Sequence, residues 1–197
     1  MINDSVPWRE QLWRSAAELE RRKTQRRWTE RTSFLVEREV MVGCYAIRKL
    51  YEARKVSDAL AARKWEVTRH ALTAARRPDI WARATPWEYY DLQHGTSAML
   101  SITDLCNQVI HSYVWMLSAT EAGDFDGIYV ASDRQRLSGL FFIPVDRFID
   151  LFRAVGSEDI TYVHMQRDVN GDLQYVGVLT REPESEGGEP EDEDSPR

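Results

Sequence analysis

Residues 127–144, GIYVASDRQRLSGLFFIP, decide the fold class, because the spacing of apolar residues changes here from a helical period to that of a strand. The segments GIYVASD (127–133) and LSGLFFIP (137–144) predict two strands, and the polar residues Arg134, Gln135 and Arg136 between them predict a turn. We therefore expect an α+β chain.

The sequence after this pair of strands continues the pattern. Val145, Phe148, Ile149 and Phe152 are spaced as on one face of an amphipathic helix, which we expect to end near Gly156. The segments ITYVHMQRD and LQYVGVLT flank Asn170-Gly171, a strong signal for a hairpin. Residues 123–180 are therefore predicted to form a ββαββ unit, with one antiparallel sheet and the helix packed on one face.

The N-terminal part of the chain has a helical period. Five residues of its most apolar segment lie three or four positions apart: Val36, Val40, Gly43, Ile47 and Leu50. From such patterns we predict helix from residue 7 to about 119. Residues 1–122 would then form a bundle of long helices, with the ββαββ unit packed on it or beside it.

The C-terminal residues 181–197 contain eight acids, two arginines and no aliphatic or aromatic side chain, which predicts a disordered acidic tail. This tail accounts for the net charge of −6 of the 197-residue chain, so the remainder is balanced. Cys44 and Cys106 lie in apolar segments and are expected to be reduced thiols. With no signal-peptide pattern and no long apolar run, we expect a cytoplasmic protein without a membrane span.

One predicted helix carries polar residues on an otherwise apolar stretch, LCNQVIHSYVW (105–115). Ser101 and Asp104 have the spacing of a capping box at its start. Asp104, Asn107 and His111 would project from one edge of the helix. Because a buried amide or imidazole needs hydrogen-bonding partners, this edge either meets structural partners or faces a cleft.

The segment CNQVIHSY (106–113) resembles the signature of the HEPN superfamily, in which an arginine, often followed by asparagine, precedes a histidine. Asn107 and His111 match two of these positions, and Tyr113 matches an aromatic residue often found after the histidine. The resemblance covers residues 32–119 and implies a helical domain of a bacterial regulatory or defence system. In catalytic members, the arginine and histidine support metal-independent cleavage of RNA, commonly in a dimer.

Cys106 stands where the family has arginine, so the cation that would contact a phosphate is missing from the motif. Arg38 and Arg48 are candidates to supply it from a neighbouring helix. The alternative is that these two arginines lie on a solvated edge or form intrahelical pairs.

A basic stretch, RRKTQRRWTER (21–31), contains six basic residues and one acid. Five of its residues are candidates for contacts with RNA phosphates: Arg21, Arg22, Lys23, Arg26 and Arg27. Trp28 would be available to stack on a base. The alternative is a solvated helix face, or a segment paired with acidic surface.

We expect no metal and no other cofactor, since metal-binding and phosphate-loop motifs are lacking. The favoured hypothesis is a HEPN-like module that binds RNA or a protein partner, as a homodimer, without catalysis or with weak activity. One alternative is a metal-independent ribonuclease with His111 as acid and base and Asn107 as the residue that positions the substrate. The other is a structural protein that mediates oligomerisation.

Overall fold

The computed structural model describes residues 4–73 and 77–180. Its helices are α1 (Val6–Lys23), α2 (Glu30–Glu52), α3 (Asp58–Ala62), α4 (Ile102–Ile110) and α5 (Val145–Ser157). Its strands are β1 (Lys64–Leu72), β2 (Tyr90–Ser101), β3 (Ser112–Ala119), β4 (Phe125–Ser132), β5 (Gly139–Pro144), β6 (Tyr162–Arg167) and β7 (Leu173–Leu179). The predicted acidic tail lies outside the described residues. None of the helices in the described part of the chain is long and apolar enough to span a bilayer.

The centre of the fold is a five-stranded sheet in the order β2-β1-β5-β4-β3. All four pairs of neighbouring strands are antiparallel. Strand β5 is the middle strand and joins the β2-β1 pair to the β4-β3 pair. Its Phe142 pairs with Thr68 of β1 on one side and with Tyr129 of β4 on the other. Strands β6 and β7 form a separate two-stranded sheet.

The predicted N-terminal bundle of long helices is wrong, because three strands of the central sheet lie within residues 64–119. The segment KWEVTRHAL (64–72) contains good helix formers, but its Trp65 and Val67 alternate with exposed neighbours and are buried in the core. Tertiary burial therefore overrides the local helical preference. Within the stretch that resembles HEPN, the helix ends at Ile110 and a strand begins at Ser112.

The predicted single ββαββ sheet is also wrong, although its strands and its helix are present. Strands β4 and β5 complete the sheet begun by β1, β2 and β3, while β6 pairs only with β7. The hairpin at Asn170-Gly171 is confirmed. Gly171 has a φ of 86°, a conformation that glycine adopts without strain.

Helices α1, α4 and α5 pack against the central sheet, α2 packs against these three helices, and all four bury a common core. The sheet contributes Trp65, Val67, Ile128, Val130, Phe141 and Ile143. The helices contribute residues from Leu12 to Val155. One core therefore includes side chains from both sides of residue 122, where the sequence predicted the bundle to end. Gly43 of α2 lets the ring of Phe152 approach the helix backbone, since a Cβ there would overlap the ring.

One end of the sheet brings together three segments that are distant in sequence. Strands β1 and β4 end there, at Leu72 and Ser132, and β2, β3 and β5 begin there. Residue His111, the segment 77–89 and the turn 133–138 therefore lie at the same end. Two hydrogen bonds connect them: the amide of Asp133 donates to the carbonyl of His111 at 3.1 Å, and Arg136 donates to the carbonyl of Pro78.

Candidate functional site

Helix α4 is placed by a capping interaction at its start. The Ser101 hydroxyl accepts a hydrogen bond from the backbone N–H of Asp104 at 3.0 Å and donates to the Asp104 carboxylate at 2.6 Å. The cap predicted from the spacing is confirmed, although the carboxylate meets the hydroxyl of Ser101 and not its backbone. One face of α4 is buried through Ile102, Leu105, Cys106 and Val109. The polar residues remain on the other side.

Those polar residues line an open pocket of about 670 Å³. Helix α4 contributes Asp104, Asn107, Gln108 and the capping residue His111; α2 contributes Arg48; and the end of β4 with its turn contributes Ser132, Asp133 and Arg134. We call this the α4 pocket. The edge predicted from helix geometry, with Asp104, Asn107 and His111 together, therefore faces a cleft.

Arg48 and Asn107, which both line the α4 pocket, contact each other. The Arg48 guanidinium donates to the Asn107 amide oxygen at 2.6 Å and to the Glu52 carboxylate at 2.9 Å. Hydrogen bonds from Lys49 and Arg48 lower the pKa of the Glu52 carboxyl. The Asn107 oxygen is thus satisfied by a cation, and Arg48 is held in place from two sides.

The end of β4 is fixed to α4 by two hydrogen bonds at the pocket. The backbone N–H of Ser132 donates to the Gln108 side chain at 3.0 Å, and the N–H of Asp133 donates to the His111 carbonyl. Sequence reasoning missed Gln108, Ser132, Asp133 and Arg134 as site residues. The polar stretch Ser132–Arg136 was recognisable as a turn, but its approach to α4 depends on strand pairing.

His111 lies between two depressions in the surface. Its side chain is exposed, and it lines both the α4 pocket and an adjoining pocket of about 220 Å³. Arg48 and Asn107 are also shared, and the smaller pocket adds Tyr45, Lys49, Glu52 and Ile110. The imidazole is therefore open to solvent and to any ligand in either depression.

Arg134 and Asp133 differ in their pairing. Asp133 accepts a hydrogen bond from Arg136 at 2.9 Å, so this carboxylate is neutralised locally. Arg134 is exposed and has no ion-pair partner among residues 4–73 and 77–180. Its charge is thus available to a ligand in the α4 pocket.

Cys106 points away from the pocket. It is fully buried, against the equally buried Cys44 of α2. Burial, reinforced by a hydrogen bond with Cys106, raises the pKa of the Cys44 thiol well above its usual value. The position at which the HEPN signature has arginine therefore belongs to the core here, and the cation beside Asn107 comes from Arg48.

Arg38 is not part of the site. It pairs with the neighbouring Glu39 at 2.6 Å, and Glu39 also accepts a hydrogen bond from the buried Ser15 at 2.7 Å. This group connects α2 with α1 and lines neither depression near α4.

The basic stretch is largely neutralised within the chain. Arg21 and the buried Arg22 both donate to Glu18, Lys23 contacts Glu20 and Asp146, and Arg26 lies 4.0 Å from Asp124. Among the described residues, Arg27 has no ion-pair partner. The ring of Trp28 packs against Phe125 with centroids 5.5 Å apart, and its indole N–H donates to Ser33, so this residue serves the core.

Comparison with protein-family models, with curated proteins and with solved structures found no match to this chain. The resemblance to HEPN proteins remains a prediction carried by the spacing of Asn107 and His111. Within the described residues, no group of three or more histidine, cysteine or acidic side chains is arranged to hold a metal ion.

Proposed function

We propose that this protein is a binding module that takes a phosphate group of RNA in the α4 pocket. The observation that carries the proposal is the convergence of Arg48, His111 and Arg134, from α2, α4 and the turn after β4, on one open pocket. A phosphate is recognised by cations and by N–H donors, and this pocket offers both.

Arg48 is suited to such a contact. A guanidinium has five N–H donors, and within the described residues Arg48 uses one on Asn107 and one on Glu52. The remaining donors belong to a group whose orientation is already fixed, so less side-chain entropy is lost on binding. The unpaired Arg134 adds a second cation to the lining of the same pocket.

One unpaired arginine decides which ligand charge the pocket favours. Arg48 is paired with Glu52 and Asp133 with Arg136, while Asp104 keeps its charge as it accepts from the hydroxyl of Ser101. Among the described residues, Arg134 is the arginine of the pocket that has no ion-pair partner. We therefore expect a single anionic group to bind at Arg134.

The experiment that tests the proposal is the binding of a fluorescently labelled 20-nucleotide RNA, measured by anisotropy at several salt concentrations. Arg134→Glu is expected to weaken binding at least tenfold and to lower the salt slope by about one. Arg14→Glu on α1 is the matched control, because Arg14 is exposed and lines neither pocket. Equal losses in the two variants, or no binding by the parent protein, would remove the proposal.

A second candidate function, metal-independent cleavage of RNA, is favoured by the exposure of His111 in the same pocket. An exposed imidazole beside two arginines could transfer protons to and from a bound phosphodiester. Incubation with structured RNA in EDTA tests this directly. His111→Ala should abolish cleavage, whereas His94→Ala, at an exposed histidine of β2 paired with Asp91, should not.

A further inference from the structure

The segment 77–89, at the same end of the sheet as the α4 pocket, carries unusual exposed side chains. Its two 3₁₀ turns, Ile80–Arg83 and Pro86–Glu88, carry Trp81 and Trp87, which are 65% and 58% exposed. A tryptophan left exposed gives up the free energy that its burial would contribute. Two such residues within seven positions are therefore typical of a surface that contacts a partner.

These tryptophans stand on a fixed backbone. The Asp79 carboxylate accepts a hydrogen bond from the backbone N–H of Trp81 at 3.0 Å and another from the hydroxyl of the buried Tyr89 at 2.8 Å. Ala82, Pro86 and Tyr89 are buried beneath the turns. The segment is thus anchored while its indoles face outward, so little ordering is needed when a ligand binds.

A stack of arginines on an aromatic ring lies between this segment and the α4 pocket. The guanidinium carbons of Arg83 and Arg136 lie 4.4 and 4.0 Å from the ring centroid of Tyr113. Tyr113 follows His111 by two residues, and Arg136 also binds Asp133 of the pocket wall. The exposed Arg83 has no carboxylate partner among the described residues. The tryptophans, which lie on the same anchored segment as Arg83, and the stack that leads to the pocket wall therefore share one end of the sheet.

We propose that this surface, comprising Trp81, Trp87 and the Arg83–Tyr113–Arg136 stack, holds the unpaired bases of single-stranded RNA whose phosphate enters the α4 pocket. The inference rests on the proposed function and names the form of RNA that it selects. Indole and guanidinium planes stack on bases of any sequence, but in a duplex the bases are already stacked on one another. The unpaired cations Arg83 and Arg134 favour an RNA strand over an apolar protein partner.

The test uses three labelled 20-nucleotide probes: single-stranded RNA, the same RNA in a duplex, and an abasic strand with the same phosphate spacing. The parent protein should prefer the single strand. Trp81→Ala combined with Trp87→Ala should weaken single-strand binding roughly five- to hundredfold while leaving the salt slope and the affinity for the abasic strand unchanged. Arg83→Lys should also weaken it, because lysine keeps the charge and loses the plane. Phe34→Ala, at an aromatic residue of α2 that is 58% exposed, should have no effect.

The outcomes separate this inference from the proposed function. Binding that depends on Arg134 but not on the tryptophans, or that favours the duplex, overturns the stacking surface alone. Absence of RNA binding by the parent protein overturns both. The inference is also overturned if the free protein is a dimer in sedimentation and the double tryptophan variant is a monomer, because the surface would then join two copies.

Discussion

Helix α4 and the basic stretch 21–31 both carry side chains suited to RNA, but the fold uses them differently. In the basic stretch, four of the cations lie beside carboxylates of the same chain, and Arg22 is buried. Helix α4 has no basic residue except its capping residue His111. The arginines of the α4 pocket belong to α2 and to the turn after β4. The difference between the two regions is therefore Arg134, which is unpaired among the described residues, whereas most cations of the basic stretch are paired.

The largest effect is expected from Cys106→Arg, which introduces an arginine at the position where the HEPN signature has one. Because Cys106 is fully buried against Cys44, the variant would place an unpaired charge in the core, at a cost of about 3–5 kcal/mol of unfolding free energy. Denaturant unfolding measures this, with Cys106→Ala as a control that costs about 1 kcal/mol. A stable Cys106→Arg protein with new nuclease activity would contradict the placement of this residue.

Glu18→Gln separates the basic stretch from its carboxylate. Burial acts to raise the pKa of Glu18, but hydrogen bonds from Arg21 and Arg22 outweigh burial and leave this pKa below 4.5. Loss of these charged hydrogen bonds should cost about 2 kcal/mol at pH 7. The affinity of this variant for RNA should stay within about twofold of that of the parent protein, because Arg21 does not line the α4 pocket.

The pH dependence follows from the sign of the Glu18 shift. A carboxyl whose pKa is lower in the folded than in the unfolded state contributes stability above its unfolded value, and this contribution is lost as the pH falls through the folded value. The difference in melting temperature between the parent protein and Glu18→Gln should therefore be present at pH 7 and shrink as the pH falls below 4.5. A difference that grows with acidification would show that the pairing is absent.

Asn107→Leu removes the contact that holds Arg48 at α4. The lost hydrogen bond should cost about 1 kcal/mol, since Arg48 keeps Glu52 and part of its solvent contact. Binding of RNA should weaken along with stability, because Arg48 would no longer be fixed beside the pocket. A double-mutant cycle with Arg48→Ala measures the coupling, and a coupling of zero would mean that the two side chains act independently.

The smallest effect is expected from Arg26→Ala. The Arg26–Asp124 pair is 4.0 Å long and its arginine is 81% exposed, so stability should change by less than about 0.5 kcal/mol. Chemical unfolding with and without 0.5 M salt provides the measurement. A change as large as that of Glu18→Gln would show that exposed pairs of the basic stretch are structural.

The sequence predicts local elements well where hydrophobic period and capping chemistry agree. Helices α2 and α5, the cap at Ser101 and the hairpin at Asn170-Gly171 all follow from short-range rules. The rules fail for β1, β2 and β3, all of which lie in the stretch predicted to be helical. Their strand conformation depends on the pairing of β1 with β2 and β5 and of β3 with β4, and the paired residues are separated along the chain.

Some features of the candidate site likewise follow from local rules, and others depend on tertiary packing. The shared edge of Asp104, Asn107 and His111 is a consequence of 100° per residue within one helix. The bond between Arg48 and Asn107, 59 residues apart, and the approach of Arg134 depend on how α2 and β4 pack. Neither has a local signal. Packing also decides the role of Arg38, ten residues before Arg48, which pairs with Glu39 and does not reach the pocket.

The central claim is that RNA meets the α4 pocket and not the basic stretch, and one matched pair of variants tests it most directly. Arg134 and Arg27 are both exposed and, among the described residues, both lack an ion-pair partner. In parallel anisotropy titrations with the same single-stranded RNA, Arg134→Glu should lose at least tenfold in affinity and Arg27→Glu less than about twofold. The reverse order, with Arg27→Glu the more damaged, would contradict the account.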